Sequence, residues 1–163
     1  MNIFEFALQM EKEAVEFYTH LARQVSDRGP KQIFIDLAMD HVQRRQFIEK
    51  VKVSSQWKDL NDHGVTCGPW HKGVRLNGEI DDEAAYRLAL EWEEAEMHCF
   101  EDLLERARAR GIRKALERIA EEEDRRVARL RQIYDFINAP NQYLAWGEFS
   151  NLEEFHQFGR DIG

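Results

Sequence analysis

Apolar residues recur every three or four positions over four stretches of the chain, and each stretch carries charged or polar residues inside its apolar stripe. In the first, Phe4, Ala7, Glu11, Ala14, Tyr18, Leu21 and Val25 share one helical face. Asn2 and Glu5 have capping-box spacing at its start, and Gly29 with Pro30 is expected to stop it. The second stripe, Phe34, Leu37, His41, Arg44, Ile48 and Val51, predicts a helix to about Val53, so the first two helices form an antiparallel hairpin. Asp81 and Asp82 then open a third helix with the stripe Tyr86, Ala89, Glu93, Glu96, Phe100, Leu103 and Ala107, punctuated by Gly111. The fourth shows Ile112, Leu116, Ile119, Glu123, Arg126, Leu130, Ile133 and Ile137 before Pro140.

Between the hairpins, over 54–80, periodicity disappears and Gly64, Gly68, Pro69, Gly73 and Gly78 interrupt the chain. Two hairpins joined by one long crossover describe the ferritin-like variant of the four-helix bundle. The expected fold is therefore all-α, with the bundle and its crossover loop 54–80 occupying residues 1–137. Residues 138–163 form an aromatic arm carrying Tyr143, Trp146, Phe149, Phe155 and Phe158, with Ser150 and Glu153 placed to cap a short helix. That arm is expected to pack on the bundle or on a second subunit of a homodimer.

The two hairpins repeat each other at an offset of 82 positions, the difference between Glu93 and Glu11. At the same offset Ala7 matches Ala89, Leu8 matches Leu90, Ala38 matches Ala120, His41 matches Glu123 and Arg44 matches Arg126. Two copies of one helix pair facing each other bring their polar stripe positions to one level of the bundle. An isolated charge at such a level is costly, so these residues must ligate a metal or pair with one another.

Composition narrows the function classes. A chain of 163 residues with 43% hydrophobic and 33% charged residues is one soluble domain's worth. A net charge of −8 argues against nucleic acid, because phosphate binding needs clustered cations. No apolar run reaches the roughly 18 residues of a membrane span and no signal-peptide pattern opens the chain, so a cytoplasmic protein without membrane association is expected. Cys67 and Cys99 form no CxxC pair and are expected to be reduced thiols.

Di-iron carboxylate bundles take one Glu from each of two helices and a Glu-x-x-His pair from each of the other two, because carboxylates bridge and neutralise the cations while imidazole completes each coordination sphere. Against that plan the chain resembles the rubrerythrin-like members of the ferritin-like superfamily. Ala7 to Tyr18 resembles their first-helix motif, Leu37 to Arg44 and Ile119 to Arg126 their second and fourth helices, and Glu93 with Glu96 their third-helix pair. The resemblance covers roughly residues 1–137. It implies a di-iron oxidase or peroxidase acting on peroxide or oxygen, or handling iron. Because the rubredoxin-like cysteine motif of full rubrerythrins is missing, it also implies a separate protein as electron donor.

The departures are as specific as the likeness. Arg44 and Arg126 stand where the family has ligand histidines, and His41 stands where it has a glutamate. Arginine offers no lone pair and cannot ligate. Two readings follow. In one, Glu11, His41, Glu93, Glu96 and Glu123 hold Fe, Mn or Zn, mononuclear in preference to dinuclear, with the arginines outside the coordination sphere and Tyr18 as an auxiliary donor or relay. In the other, the level binds no metal, a Glu/Arg/His salt-bridge network replaces the ancestral site, and the bundle is a non-catalytic interaction or regulatory module. His63, Cys67 and His71 in the crossover are spaced by four, but Gly68 and Pro69 prevent a helix from aligning them.

Overall fold

A computed structural model of the chain describes residues 3–54 and 80–158, with side chains described over 3–53 and 80–139. The described residues form four helices and no strand: α1 Ile3–Gln24, α2 Arg28–Ser54, α3 Asp82–Arg106 and α4 Arg110–Phe158. α1 packs along α2 and α3 along α4, giving two hairpins. The hairpins meet through α1 against α3 and α2 against α4, so α2 lies diagonally across from α3.

The turn inside each hairpin departs from the expected punctuation in the same way. α1 ends at Gln24 and α2 begins at Arg28, so Gly29 and Pro30 lie in the first turn of α2. A proline is tolerated there because N-terminal N–H groups have no intrahelical acceptor. α3 ends at Arg106 and α4 begins at Arg110, placing Gly111 in the first turn of α4. Both boundaries are offset by 82 positions, 24 to 106 and 28 to 110, so the internal repeat extends to the turns. Asp81 caps α3 by accepting from the Ala84 N–H at 2.7 Å.

α4 does not stop at Pro140. It continues as one helix to Phe158, in place of a separate short helix in the arm. A proline inside a helix costs about 3 kcal/mol through a lost hydrogen bond and a crowded carbonyl, which lowers helix stability without forbidding continuation. The residues beyond it, including Leu144, Ala145, Glu148, Leu152 and Glu153, are good helix formers. The side chains of the arm, and the His63, Cys67 and His71 set, lie outside the described residues.

Two apolar clusters fill the bundle. One gathers Ala14, Phe17, Tyr18, Leu21, Phe34, Tyr86, Trp92 and Leu130. The other gathers Ile3, Phe4, Met10, Ile48, Phe100, Leu103, Ile112, Leu116 and Ile119. Burying each large side chain contributes about 1.5–3 kcal/mol, so the two clusters clamp the four helices above and below whatever lies between them. What lies between them is polar: Glu11, His41, Arg44, Glu93, Glu96 and Glu123, all buried. Cys99 is disulfide-bonded rather than a reduced thiol, which corrects the expectation drawn from its lack of a CxxC partner. No described helix is long and apolar enough to cross a membrane.

Candidate metal centre

Each polar side chain reaches this level because it occupies an inward stripe position one helical step from an apolar neighbour. Glu11 follows Met10 and precedes Ala14 on α1, and Glu93 and Glu96 lie between Trp92 and Cys99 on α3. The layer joins all four helices.

His41 holds its centre. Its Nδ1 lies 2.8 Å from Glu11 Oε2, and its Nε2 lies 3.1 Å from Glu93 Oε1 and 3.8 Å from Glu96 Oε2. Burial acts to strip the proton from this imidazole, but the charge of Glu93 and the hydrogen bonds the ring donates to Glu11 and Glu93 outweigh it and hold His41 above its ordinary value. Tyr18 donates to Glu93 Oε1 at 2.5 Å and lies 3.3 Å from the Ala89 carbonyl. Its phenol is pushed well above its usual value, first by burial and then by the charge of Glu93, so it remains a donor.

The arginines stand on either side. Arg44 Nη1 donates to Glu11 Oε1 at 3.1 Å and pairs with Glu123, while the Arg44 guanidinium lies over the Phe100 ring, 5.7 Å from its centroid. Arg126 Nη1 donates to Glu93 Oε2 at 3.3 Å and to Glu123 Oε1 at 2.9 Å, and its Nη2 lies 3.8 Å from Asp40 Oδ2. Arg44 with Glu11 and Arg126 with Glu93 are the same pair in the two halves of the repeat.

Glu96 breaks that symmetry. Its counterpart 82 positions earlier is Ala14, and neither of its oxygens has a hydrogen-bond donor. The nearest cationic atoms, on His41 and Arg44, are 3.8 and 4.0 Å away, within ion-pair range but beyond hydrogen-bond reach. Burial, then the charges of Glu11 and Glu123, pushes its carboxyl well above the usual range. Glu123 is raised too, first by burial and then by Glu93, with which it shares a hydrogen bond, and its Oε2 has no donor. Glu93 goes the other way: burial opposes ionisation, but His41 and Arg44 overcome it and keep the carboxylate ionised.

Five of the residues singled out in the sequence therefore converge as two overlapping sets of metal-ligand atoms, Glu11–His41–Glu96 and Glu93–Glu96–Glu123. Within each set the ligand atoms lie within 4.8 Å of one another. Glu96 belongs to both. Tyr18 adjoins the level through Glu93. Of the other histidines, His98 is exposed and pairs with Glu101 at 3.1 Å, and His20 is exposed outside the level. Two contributors escaped the sequence reading: Asp40, which extends the Arg126 network towards solvent, and Phe17, which stacks on Trp92 at 4.2 Å just below the level. Asp40 gives no periodic signal because it lies beside the stripe. The chain matches no protein-family model, no curated protein and no solved structure.

Proposed function

We propose that this chain is a ferritin-like bundle of the rubrerythrin kind that holds one divalent transition-metal ion, Fe, Mn or Zn, at Glu11, His41 and Glu96. The observation that carries this reading is Glu96, a buried carboxylate with no donor on either oxygen that faces an imidazole and a second carboxylate at ligand spacing. Charge favours one ion over two. When ionised, the four buried glutamates would carry four negative charges, of which Arg44 and Arg126 neutralise two. A single dication with neutral His41 brings the layer to neutrality, whereas a second dication would leave two positive charges buried.

The mixed imidazole and carboxylate set suits Fe, Mn or Zn. A redox-active ion there supplies the electron exchange needed to reduce peroxide or dioxygen. Around it, Arg44 and Arg126 hold Glu11, Glu93 and Glu123 in place, and Tyr18 donates to Glu93. A separate redox protein serves as electron donor, and a second copy of the chain as partner in a homodimer.

The metal-free salt-bridge network is the second reading, favoured by the paired contacts of Arg44 with Glu11 and of Arg126 with Glu93. Anaerobic loading with Fe(II), Mn(II) or Zn(II), followed by desalting and elemental analysis, separates the two. The expected result is one ion per chain, lost in Glu96→Gln with helicity retained, and peroxide consumption by the iron-loaded parent only. Absence of bound metal under all three conditions would sink the first reading and leave the second.

A further inference from the structure

The outer side of the first hairpin carries a groove of about 410 Å³ between α1 and α2. Ala22 and Ala38, both buried, form its floor. Val15 and Thr19 border it from α1, and Ile35 and Met39, 42% and 52% exposed, stand along its α2 side. Arg23 and Lys31 close the end nearest the hairpin turn, and neither makes an ion pair among the described residues. Adjacent exposed apolar residues rimmed by charge mark an interaction site, unlike apolar residues scattered singly.

The internal repeat supplies a control. At the repeat offset, Thr19, Ile35, Met39 and Val42 become Glu101, Glu117, Glu121 and Asp124, all exposed. The same face of the same helix pair is solvated by acids in the second hairpin and apolar in the first. The fold therefore does not require apolar residues there, and what they pack against lies outside the bundle.

We infer, resting on the homodimer proposed above and independently of the metal, that a second copy of the chain covers this groove, its α2 running antiparallel to the first about a two-fold axis near Met39. The ridge and the groove lie on one face, so a single two-fold operation lays Ile35 and Met39 of each copy against the groove of the other, as an isologous interface requires. About that axis Ile35 falls opposite Val42 of the second copy, and Lys31 comes within side-chain reach of its Glu49, joining opposite charges at both ends. Within the chain Glu49 pairs with Arg45 at 3.2 Å, an exposed i,i+4 contact worth about 0.3–0.5 kcal/mol and readily shared. The area also suffices: α1, with 22 residues, is about 33 Å long and two helices side by side are about 20 Å wide, so the face offers roughly 660 Å² per copy, near the roughly 800 Å² of a standard interface.

Sedimentation equilibrium of the intact chain from about 1 to about 100 µM tests this, and a dimer is expected. Met39→Glu gives α2 the side chain that Glu121 carries at the equivalent place, so the helix tolerates it. It is expected to weaken the dimer about a hundredfold or more, because two carboxylates lose water against apolar groups. Glu121→Lys on the second hairpin is the control and should change nothing. Lys31→Glu and Glu49→Lys are each expected to weaken the dimer about tenfold, and the two together to regain most of it. Circular dichroism and elemental analysis of the same samples keep folding and metal binding apart from association. A monomer at about 100 µM would overturn the homodimer and its face together. A dimer unmoved by Met39→Glu, or weakened equally by Glu121→Lys, would overturn the face alone, and no recovery in the charge swap would overturn the antiparallel arrangement.

Discussion

Replacing Glu96 by glutamine should make the metal-free protein more stable, although it removes a buried acidic residue from the centre of the bundle. In the folded chain, burial and the neighbouring charges of Glu11 and Glu123 keep the Glu96 carboxyl protonated well above its ordinary value of 4.5. The unfolded chain releases that proton as pH rises past 4.5. Between those two points the native state binds more protons than the unfolded state, so stability falls with pH by about 1.4 kcal/mol per unit for this one group. At pH 7, above the ordinary carboxylate value, the accumulated loss is on the order of a few kcal/mol. His41 acts with the same sign at higher pH: its folded value is raised above 6.5, so its contribution is complete below 6.5 and is lost as pH rises through the folded value. Glutamine has no proton to lose, and its amide can donate to the neighbouring carboxylates. Urea unfolding followed by far-ultraviolet circular dichroism, on resin-stripped protein from about pH 5 to about pH 8, should show Glu96→Gln more stable than the parent by about 1–3 kcal/mol at pH 7. The two should converge near pH 4.5, with a slope shallower by about one proton in the variant. A variant less stable than the parent at pH 7, or one with the same slope, would refute the assignment of the proton. Metal loading should reverse the slope of the parent, because ligands must be deprotonated to bind and stability then rises with pH.

Three further outcomes follow from the same layer and its flanks. Arg126→Leu removes the donor shared by Glu93 and Glu123 and should cost about 3 kcal/mol or more in chemical unfolding; a loss below about 1 kcal/mol would mean that the two carboxyls do not depend on it. Tyr18→Phe deletes the hydrogen bond to Glu93 and should cost about 1.5–3 kcal/mol, with most of the loss regained when Glu93→Gln is added, a coupling that a double-mutant cycle reads directly. Phe100→Ala opens a cavity below Arg44 in a fully buried site and should cost about 3–5 kcal/mol, measured by thermal or urea unfolding.

The helices and their inward faces were legible because a buried stripe leaves a three-four period that survives interruption by charge. Glu11, Arg44, Glu93 and Glu123 sit on the period and are buried together. The ends of elements were less legible. Gly29, Pro30 and Gly111 suggest stops, yet an N-terminal turn tolerates them equally well, and only the packed hairpin decides which helix they belong to. Pro140 misled for a related reason, since a local cost of a few kcal/mol does not by itself end a helix whose flanks favour it. Trp92 and Phe17 lie beside the three-four stripes because a square bundle buries a wider arc than one row of residues. The identity of the residues in the site was readable, while their partners were not: that Arg126 also faces Asp40, or that Glu96 has no donor, depends on distances across three helices.

The internal repeat explains both what the layer preserves and where it is free to do chemistry. Arg44 with Glu11 and Arg126 with Glu93 occupy equivalent places and form equivalent ion pairs, at 3.1 and 3.3 Å, so each half neutralises one of its own carboxylates. The contact of His41 with Glu11 has its counterpart in the pairing of Glu123 with Glu93, an imidazole on one side and a carboxyl raised by burial on the other. Tyr18 faces Glu93 with a hydroxyl that its equivalent, Phe100, lacks. Glu96 alone has no equivalent, because Ala14 stands in its place, and it alone has two oxygens without a donor. A symmetric layer would close on itself as paired ions. The additional carboxylate on α3, next to the imidazole of His41, leaves the layer with an excess of lone pairs over donors where the two hairpins meet at Glu11, His41 and Glu96, the place of the proposed cation.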